Sequence, residues 1–285
     1  MEGRASAPAA GTVLNALATG TGSAFAIDAE TTATVELDDS GSLSGEVADE
    51  PEADTRLVER CVELAVAEYG DEETTGGRVR TESEVPMAAG LKSSSAAANA
   101  TVLATLDALG VADEVPREEA CLLGVQAARD AGVTVTGAFD DASASMLGGV
   151  TVTDNRRDEL LAREPIEWDV LVWTPPERAF SADADSSRCE RIAPVAQLVA
   201  DLALDGRYAD AMTVNGFAFC AALDFPADPM VEALPHARGV SLSGTGPSFV
   251  AVGSEDELRA VRDNWSKRDG TTWLTTTRND GARTT

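Results

Sequence analysis

"PMAAGLKSSSAAANA", residues 86–100, places a lysine and three consecutive serines directly before an alanine-rich segment. Lys92 is one of only two lysines in the chain, the other being Lys267. Because alanine is the best helix former, residues 95–110 predict a helix that ends at Gly110. The first turn of a helix has unpaired N–H groups and the positive end of the helix dipole. The stretch therefore predicts an anion site.

The side chains of this stretch suit a phosphate ligand. Gly90 lets the backbone approach a ligand closely, Lys92 can neutralise phosphate charge, and Ser93, Ser94 and Ser95 can donate hydroxyls. One of these hydroxyls can also reach a magnesium ion. The alternative is an ordinary serine N-cap, for which one serine would be enough. The GxxxxGK[ST] spacing of a Walker loop is absent.

Two adjacent carboxylates, Asp140 and Asp141, lie among small residues in "GVTVTGAFDDASASMLGG" (132–149). Small neighbours leave room for a substrate, and a carboxylate close to a hydroxyl can take its proton or orient it for phosphoryl transfer. The alternative is a helix start in which an aspartate caps the first turn. Both interpretations stay open at this point.

A glycine-rich turn occurs in "SLSGTGPSFVAVG" (241–253), where Gly244, Gly246 and Pro247 separate two apolar segments. Such a turn is commonly a plain hairpin connection. It can also allow the backbone to approach a nucleotide or a substrate phosphate.

The charge of the chain is strongly negative. Among 285 residues, 49 are acidic and 22 basic, which gives a net charge of −27. The acidic residues are dispersed, as on a surface that stays soluble where salt screens its self-repulsion. A basic partner is the alternative explanation. Without a basic stripe, the sequence disfavours nucleic acid as a ligand.

Cysteine usage and hydropathy favour a soluble cytoplasmic protein. The four cysteines, Cys61, Cys121, Cys189 and Cys220, are far apart and lack CxxC spacing, so reduced and buried thiols are expected. The first 20 residues have no long apolar core, so no signal peptide is expected. An apolar run of the roughly 20 residues needed for a membrane span is absent.

The apolar pattern alternates between strand and helix periods. Strands are predicted at 22–37, 76–85, 168–175 and 271–277, with a strand–turn–strand unit at 239–253. Helices are predicted at 53–70, 95–110, 117–132, 189–205, 208–223 and 255–264, with a short helix or turn at 12–20. The charged, turn-rich segment 153–165 is interpreted as a domain boundary. The fold class is therefore α+β, in two domains.

The three stretches, in this order, resemble the GHMP kinase superfamily, named for galactokinase, homoserine kinase, mevalonate kinase and phosphomevalonate kinase. Its central motif, Pro-x-x-x-Gly-Leu-x-Ser-Ser-Ala, is matched by Pro86, Gly90, Leu91, Ser93 and Ser94. Lys92 replaces the usual glycine or alanine, and Ser95 is added. GLKSSSA, "TVLNALATGTGSAFAID" (12–28), "TVTGAFDDASAS" (134–145) and "TVNGFAFCAALDF" (213–225) look like the archaeal shikimate kinases, and the acidic surface suits a haloarchaeal member.

The resemblance implies a two-domain GHMP kinase fold, with a ribosomal protein S5 domain 2-like N-terminal domain (1–155) and a ferredoxin-like C-terminal domain (156–285). It implies an enzyme that uses ATP and Mg²⁺ to phosphorylate the 3-hydroxyl of shikimate, in the biosynthesis of chorismate and the aromatic amino acids. The implied nucleotide-binding residues are Pro86, Met87, Ala88, Ala89, Gly90, Leu91, Lys92, Ser93, Ser94, Ser95, Ala96, Gly244, Thr245 and Gly246.

The resemblance also implies roles for single residues. Asp140 aligns with the catalytic base or orienting aspartate, and Asp141 lies beside it. Ser94 matches the magnesium-binding serine, and Asp130 is the nearest candidate for a second metal ligand. Mevalonate kinases bring a lysine from their N-terminal strand, where this chain offers only Arg4.

The acceptor is less well defined than the nucleotide. Shikimate carries a carboxylate, for which Arg4, Arg129 and Lys92 are candidate cations. Homoserine or another small alcohol is the rival substrate. A kinase-like sensor is expected to lose the base or the magnesium serine, yet Asp140 and Ser94 are present. We expect no nucleic acid or membrane partner, leave the oligomeric state open and place His236 at the surface.

Overall fold

The computed structural model describes residues 1–48, 50–71, 74–134, 136–177 and 186–285. The first half of the chain forms a mixed sheet in which β3 and β4 are parallel and the other neighbours antiparallel. Its strands are β1 (Glu2–Leu14), β2 (Thr21–Asp38), β3 (Leu43–Val47), β4 (Gly76–Ser83), β5 (Val150–Asp154), β6 (Glu159–Glu164) and β11 (Arg283–Thr284). The order is β11-β1-β2-β4-β3, while β5 pairs with the start of β2 and β6 with β5.

Helices pack on this sheet, namely α1 (Arg56–Tyr69), α2 (Ser93–Ala108), α3 (Arg117–Asp130) and α4 (Phe139–Leu147). Helix α2 is central, because it packs on β1 and β2 and is flanked by α1 and α3. A Cβ on Gly3 of β1 would lie 2.2 Å from the Ala104 carbonyl oxygen of α2. The absence of a side chain at Gly3 therefore lets the last turns of α2 approach the strand closely.

The second half forms an antiparallel sheet with the order β10-β7-β9-β8. Its strands are β7 (Asp169–Thr174), β8 (Gly239–Leu242), β9 (Phe249–Gly253) and β10 (Thr271–Thr276). Its helices are α5 (Ser186–Glu190), α6 (Ala193–Leu204), α7 (Tyr208–Leu223), α8 (Asp228–Ala233) and α9 (Glu255–Trp265). This strand order and connectivity are ferredoxin-like, as expected. None of the described helices has both the length and the apolar character needed to cross a bilayer.

One hydrophobic core joins the two halves. It includes Val13 and Ile27 of the first sheet together with Val170 and Val250 of the second. At the joint, the rings of Phe25 and Trp168 meet edge to face, with their centroids 5.6 Å apart. Such aromatic contacts add to the stabilisation that burial alone provides. The halves therefore hold each other in place, and a site between them can be preorganised.

Most predicted elements are confirmed within a few residues. The exception among the helices is 189–205, which is divided into α5 and α6, with Pro194 in the first turn of α6. Proline fits a helix start and not a helix interior, because it lacks an N–H group. The glycine-rich unit at 239–253 forms β8, a turn and β9, as predicted.

One interpretation is wrong. Residues 12–14 of the expected helix or turn belong to β1, because they pair with β2 and because the β-branched Thr12 and Val13 suit a strand. The expected boundary segment 153–165 contains most of the β5–β6 hairpin. Separation after residue 155 would divide this hairpin. We therefore propose a first unit that extends to Glu164.

Candidate active site

A cleft opens where α2, α3 and α4 meet the β8–β9 turn. The cleft has a volume of about 690 Å³, which includes the open space at its entrance. All three stretches that the sequence analysis selected contribute to its wall. Their lining residues include Lys92, Ser94, Ser95, Asp140, Asp141, Gly244 and Thr245.

The loop before α2 is fixed to the β8–β9 turn. The Ser243 hydroxyl donates to the Gly90 carbonyl at 2.8 Å, and the Ser248 N–H donates to the Ala89 carbonyl at 3.3 Å. Gly90 has a φ of 80°, and a Cβ there would lie 2.3 Å from the Ser243 carbonyl oxygen. Only glycine adopts this left-handed conformation without a steric cost and also permits such a close contact.

Helix α2 begins without a side-chain cap. Its N-cap residue is Lys92, which has a φ of 63°, and no side chain makes a capping hydrogen bond there. The serines are therefore not an ordinary N-cap; they form the first turn of the helix. Ser94 is exposed and lines the cleft, whereas Ser95 is only 8% exposed. Because the first N–H groups of a helix have no intrahelical partner, this part of the wall is suited to an anion.

Lys92 and Asp141 form an ion pair at the cleft, with 2.7 Å between Nζ and Oδ1. Their side chains are 7% and 19% exposed, so water screens the pair weakly. The two atoms are not aligned as a hydrogen bond, and Asp141 Oδ1 has no hydrogen-bond partner among the described residues. The Asp141 carboxylate is therefore charge-paired with Lys92 through an oxygen that is itself buried.

Asp140 is buried more deeply than Asp141, with 4% of the residue exposed. Asn155, just after β5, donates from Nδ2 to Asp140 Oδ1 at 2.6 Å and accepts the Asp140 N–H at 3.1 Å. Burial and the neighbouring Asp141 raise the pKa of Asp140 to about 7, while Lys92 and the Asn155 hydrogen bond act to lower it. Both aspartates lie in the first turn of α4, so the residues that begin this helix also line the cleft.

A buried polar network fixes the β8–β9 turn from the other side. Thr12 Oγ1 accepts the Gly244 N–H at 2.7 Å, and Asn15 Nδ2 donates to the Gly244 carbonyl at 2.9 Å. Asn215 of α7 accepts the Asn15 N–H at 3.0 Å. Sequence reasoning missed Thr12, Asn15, Asn215 and Asn155 as site residues. The first three lie within residues 12–28 and 213–225, which the sequence analysis used only as evidence of family resemblance.

The other expected nucleotide-binding residues are not among the described lining residues of the cleft. They are Pro86, Met87, Ala88, Ala89, Gly90, Leu91, Ser93, Ala96 and Gly246. The side chain of Leu91, for example, is buried in the core, and its carbonyl accepts the Ala10 N–H at 3.2 Å. Val135, within the Thr-Val-Thr-Gly string, lies outside the described residues.

Asp130 is away from the cleft, contrary to its expected role as a metal ligand. Its Oδ2 accepts from Arg60 Nε at 2.7 Å and its Oδ1 from Gln126 Nε2 at 2.6 Å. Both oxygens are therefore engaged near α1, and these hydrogen bonds lower the pKa of Asp130. The end of α3 turns this carboxylate towards α1 instead of α4, and we do not retain it as a magnesium ligand.

Of the three candidate cations for an acceptor carboxylate, Lys92 alone is among the described lining residues. Arg4 lies with Arg78 in a separate surface depression on the sheet. Arg129 pairs with Asp158 at 2.6 Å, and its guanidinium lies against the backbone of Gly137, where a Cβ would be 2.3 Å from Nη2. His236 is exposed, as expected.

Comparisons with known proteins find relatives that match the chain over nearly its whole length. The family model of the GHMP kinases N terminal domain matches residues 56–149. The shikimate kinase of Halobacterium salinarum is 69% identical, over 100% of both chains. The shikimate kinase of Methanosarcina mazei is 50% identical, over 99% of this chain and 96% of the relative.

Solved structures with the same fold are more distant in sequence. Homoserine kinase from Cytophaga hutchinsonii superposes with a TM-score of 0.79 at 17% identity, over 100% of this chain and 97% of that chain. Mevalonate kinase from Methanococcus jannaschii superposes with a TM-score of 0.77 at 14% identity, over 97% and 98% of the two chains. These likenesses establish the two-domain α+β fold. Taken with the full-length identity to the Halobacterium salinarum and Methanosarcina mazei proteins, they show that the chain belongs to the archaeal-type shikimate kinase family of the GHMP kinase superfamily.

Proposed function

We propose that this protein transfers the γ-phosphoryl group of ATP to the 3-hydroxyl of shikimate. The observation that carries the proposal is that the start of α2 and the Asp141 carboxylate line the same cleft. Phosphoryl transfer requires a cradle for the phosphates and a group that positions the attacking hydroxyl. The relatives that are 69% and 50% identical are named shikimate kinase, which supports shikimate as the acceptor.

The first turn of α2 holds the ATP triphosphate. Its free N–H groups and the hydroxyls of Ser94 and Ser95 donate to phosphate oxygens. Gly244 and Thr245 close the other side of the cleft, where their backbone lies close to the Gly90 loop. Lys92 supplies positive charge beside the transferred group.

Magnesium fits the donor set of this cleft. Mg²⁺ prefers oxygen ligands and usually keeps several waters while it contacts substrate phosphates and few protein groups. The exposed Ser94 hydroxyl, at the mouth of the α2 anion site, is such a ligand, and it would hold the ion together with phosphate oxygens. When bound, the ion neutralises charge on the phosphates.

Asp141 takes the proton of the acceptor hydroxyl. The acceptor oxygen bonds to the γ-phosphorus as the bond to the ADP oxygen breaks, and the hydroxyl proton passes to the Asp141 carboxylate. The sequence analysis gave this role to Asp140. We reverse the assignment, because Asp141 is the less buried of the two, whereas Asp140 is held by Asn155.

Two other functions have less support. Homoserine or another small alcohol as the acceptor would be compatible with the fold, but the full-length relatives carry the name shikimate kinase. A sensor that binds without turnover would not need both a serine at the metal position and an open carboxylate, yet Ser94 and Asp141 both line the cleft.

We also propose a cytoplasmic location. All four cysteines are buried as thiols. Proteins of oxidising compartments commonly use their cysteines in disulfides, so buried thiols favour a reducing compartment.

The proposal is tested by incubation of the protein with shikimate, MgATP and potassium chloride, followed by mass spectrometry and phosphorus NMR of the product. We expect one phosphoryl group on the 3-oxygen and a stoichiometric amount of ADP. Asp141→Asn provides the background control for a contaminating kinase, because it retains the fold but lacks the base. Failure to detect phosphorylated shikimate with the folded wild-type protein would reject the assignment.

A further inference from the structure

Asn155 is almost completely buried, and each polar group of its side chain has a partner. Oδ1 accepts the Thr153 hydroxyl at 2.7 Å and the Asp140 N–H at 3.1 Å. Nδ2 donates to Asp140 Oδ1 at 2.6 Å and to Thr136 Oγ1 at 3.4 Å. Because the Asp140 N–H can only donate, the atom that it contacts must be the amide oxygen. This fixes the amide nitrogen towards the Asp140 carboxyl.

The Asp140 carboxyl lies in a slot that the surrounding residues leave open for it. A Cβ on Gly22 of β2 would lie 2.3 Å from Asp140 Oδ2, so the absence of a side chain there makes the space. The charged groups that act on this carboxyl are Asp141 on α4 and Lys92 before α2. From β5 and β2 it meets the neutral Asn155 and Gly22.

Asn155 is in turn held by its own backbone. Its N–H donates to the Gly20 carbonyl at 2.8 Å, and its carbonyl accepts from Arg129 Nη2 at 3.4 Å. Arg129 is itself anchored by Asp158 at 2.6 Å. The amide is therefore rigid, and it can impose an orientation on Asp140 instead of following it.

We propose that Asn155 is a positioning residue for phosphoryl transfer, which holds Asp140 as a carboxylate beside Asp141. The inference rests on the proposed function. Two adjacent negative charges attract the hydroxyl proton more strongly than one, so the pair acts best when both members are ionised. The side-chain amide Nδ2–H of Asn155 stabilises the ionised form of Asp140, because a hydrogen bond donated to a carboxylate favours its charge.

The pH dependence follows from the sign of this effect. Asp140, with a pKa of about 7, is ionised only above that pH, so kcat rises as the pH increases through about 7. Removal of the Asn155 donor raises the pKa of Asp140, and the rise of kcat then occurs at higher pH. Loss of a hydrogen bond to a charged group corresponds to a shift of about one pH unit or more.

The test uses Asn155→Leu, which keeps the volume and removes the donor, and Asn155→Asp, which keeps the shape and replaces the donor by a like charge. We expect both variants to bind ATP as the wild type does, to lose at least about fivefold in kcat at pH 7, and to recover it at higher pH. Asn279→Ala is the control. It removes a half-buried amide oxygen that accepts the Ile166 N–H, and Asn279 is not among the described residues that line the cleft. It should lower stability without moving the pH midpoint.

A carbon-13 NMR titration of labelled aspartate carboxyls gives a measurement that does not depend on turnover, with Asp140 assigned from the spectrum of Asp140→Asn. We expect the Asp140 midpoint to rise in Asn155→Leu or in Asn155→Asp, whichever folds. An unchanged midpoint, or a kcat lowered equally at every pH, overturns the role of Asn155. Absence of shikimate phosphorylation by the wild type would instead reject the proposed function, and the titration would still decide whether Asn155 controls Asp140.

Discussion

The Lys92 ammonium lies 2.7 Å from the Asp141 carboxylate, so the residue that precedes α2 contacts the first turn of α4. The two residues are 49 positions apart in the chain. Lys92 therefore serves both sides of the reaction, because it lies beside the anion site and orients the group that faces the acceptor. Its left-handed backbone conformation directs the chain into the helix at this point.

Lys92→Met should lower kcat by about 10²–10³, because it removes charge from the phosphates and leaves Asp141 without its ion-pair partner. Steady-state kinetics measure this loss. Lys267→Met is the matched control, since it removes the other lysine of the chain, an exposed side chain after α9 that donates to Asn264 Oδ1 at 3.4 Å. Equal effects of the two substitutions would show that Lys92 acts only through the net charge of the protein.

Asp141→Asn should lower kcat by at least about 10², since general base catalysis contributes about 10²–10⁴ in rate. ATP affinity should change little, because asparagine keeps the shape of the side chain. Asp140→Asn should cost less, as Asp140 does not itself take the proton. A greater loss in Asp140→Asn, with folding intact by circular dichroism, would return the role of base to Asp140.

Gly90→Val should abolish nucleotide binding as measured by calorimetry. The new Cβ would meet the Ser243 and Gly246 carbonyl oxygens at 2.3 and 2.8 Å, and it would push the α2 loop off the β8–β9 turn. Gly110→Val is the control: its φ of 75° imposes the same backbone strain, but a Cβ there meets no atom within 4 Å. Wild-type affinity in a folded Gly90→Val variant would contradict the assignment of the loop.

The chain should lose stability when potassium chloride is diluted. With 49 acidic and 22 basic residues, the chain has an excess of 27 acidic side chains, which repel one another. Salt screens their repulsion, whereas it would weaken a protein held mainly by surface ion pairs. We expect the melting temperature to rise by at least about 5 °C between dilute buffer and molar salt. A melting temperature that does not respond to salt would contradict this.

The sequence was informative where local chemistry decides the structure. The helix at 95–110 and the anion site before it follow from alanine, glycine and serine alone, and the amphipathic pattern of 53–70 is similarly sufficient for α1. The strand β1 could not be predicted in this way. Its sequence EGRASAPAAGTVL has few strand formers, and it is extended because it pairs with β2 and lies close under α2.

The reassignments within the site have a common physical cause, which is that sequence spacing does not show which way a side chain points. Asp130 has the right residue type near the right helix, yet the end of α3 directs it to Arg60. Asp140 and Asp141 are adjacent, and only the packing against Gly22 and Asn155 distinguishes the buried carboxylate from the open one. Asn155 itself lies in the turn-rich segment that was interpreted as a domain boundary.

The most direct measurement is a coupled assay of ADP release in high potassium chloride, with shikimate, homoserine and mevalonate as parallel acceptors. We expect ADP release with shikimate alone, and its loss in Asp141→Asn. Turnover of homoserine or mevalonate in preference to shikimate, or ATP binding without ADP release for any of the three, would contradict the proposal that this cleft phosphorylates shikimate.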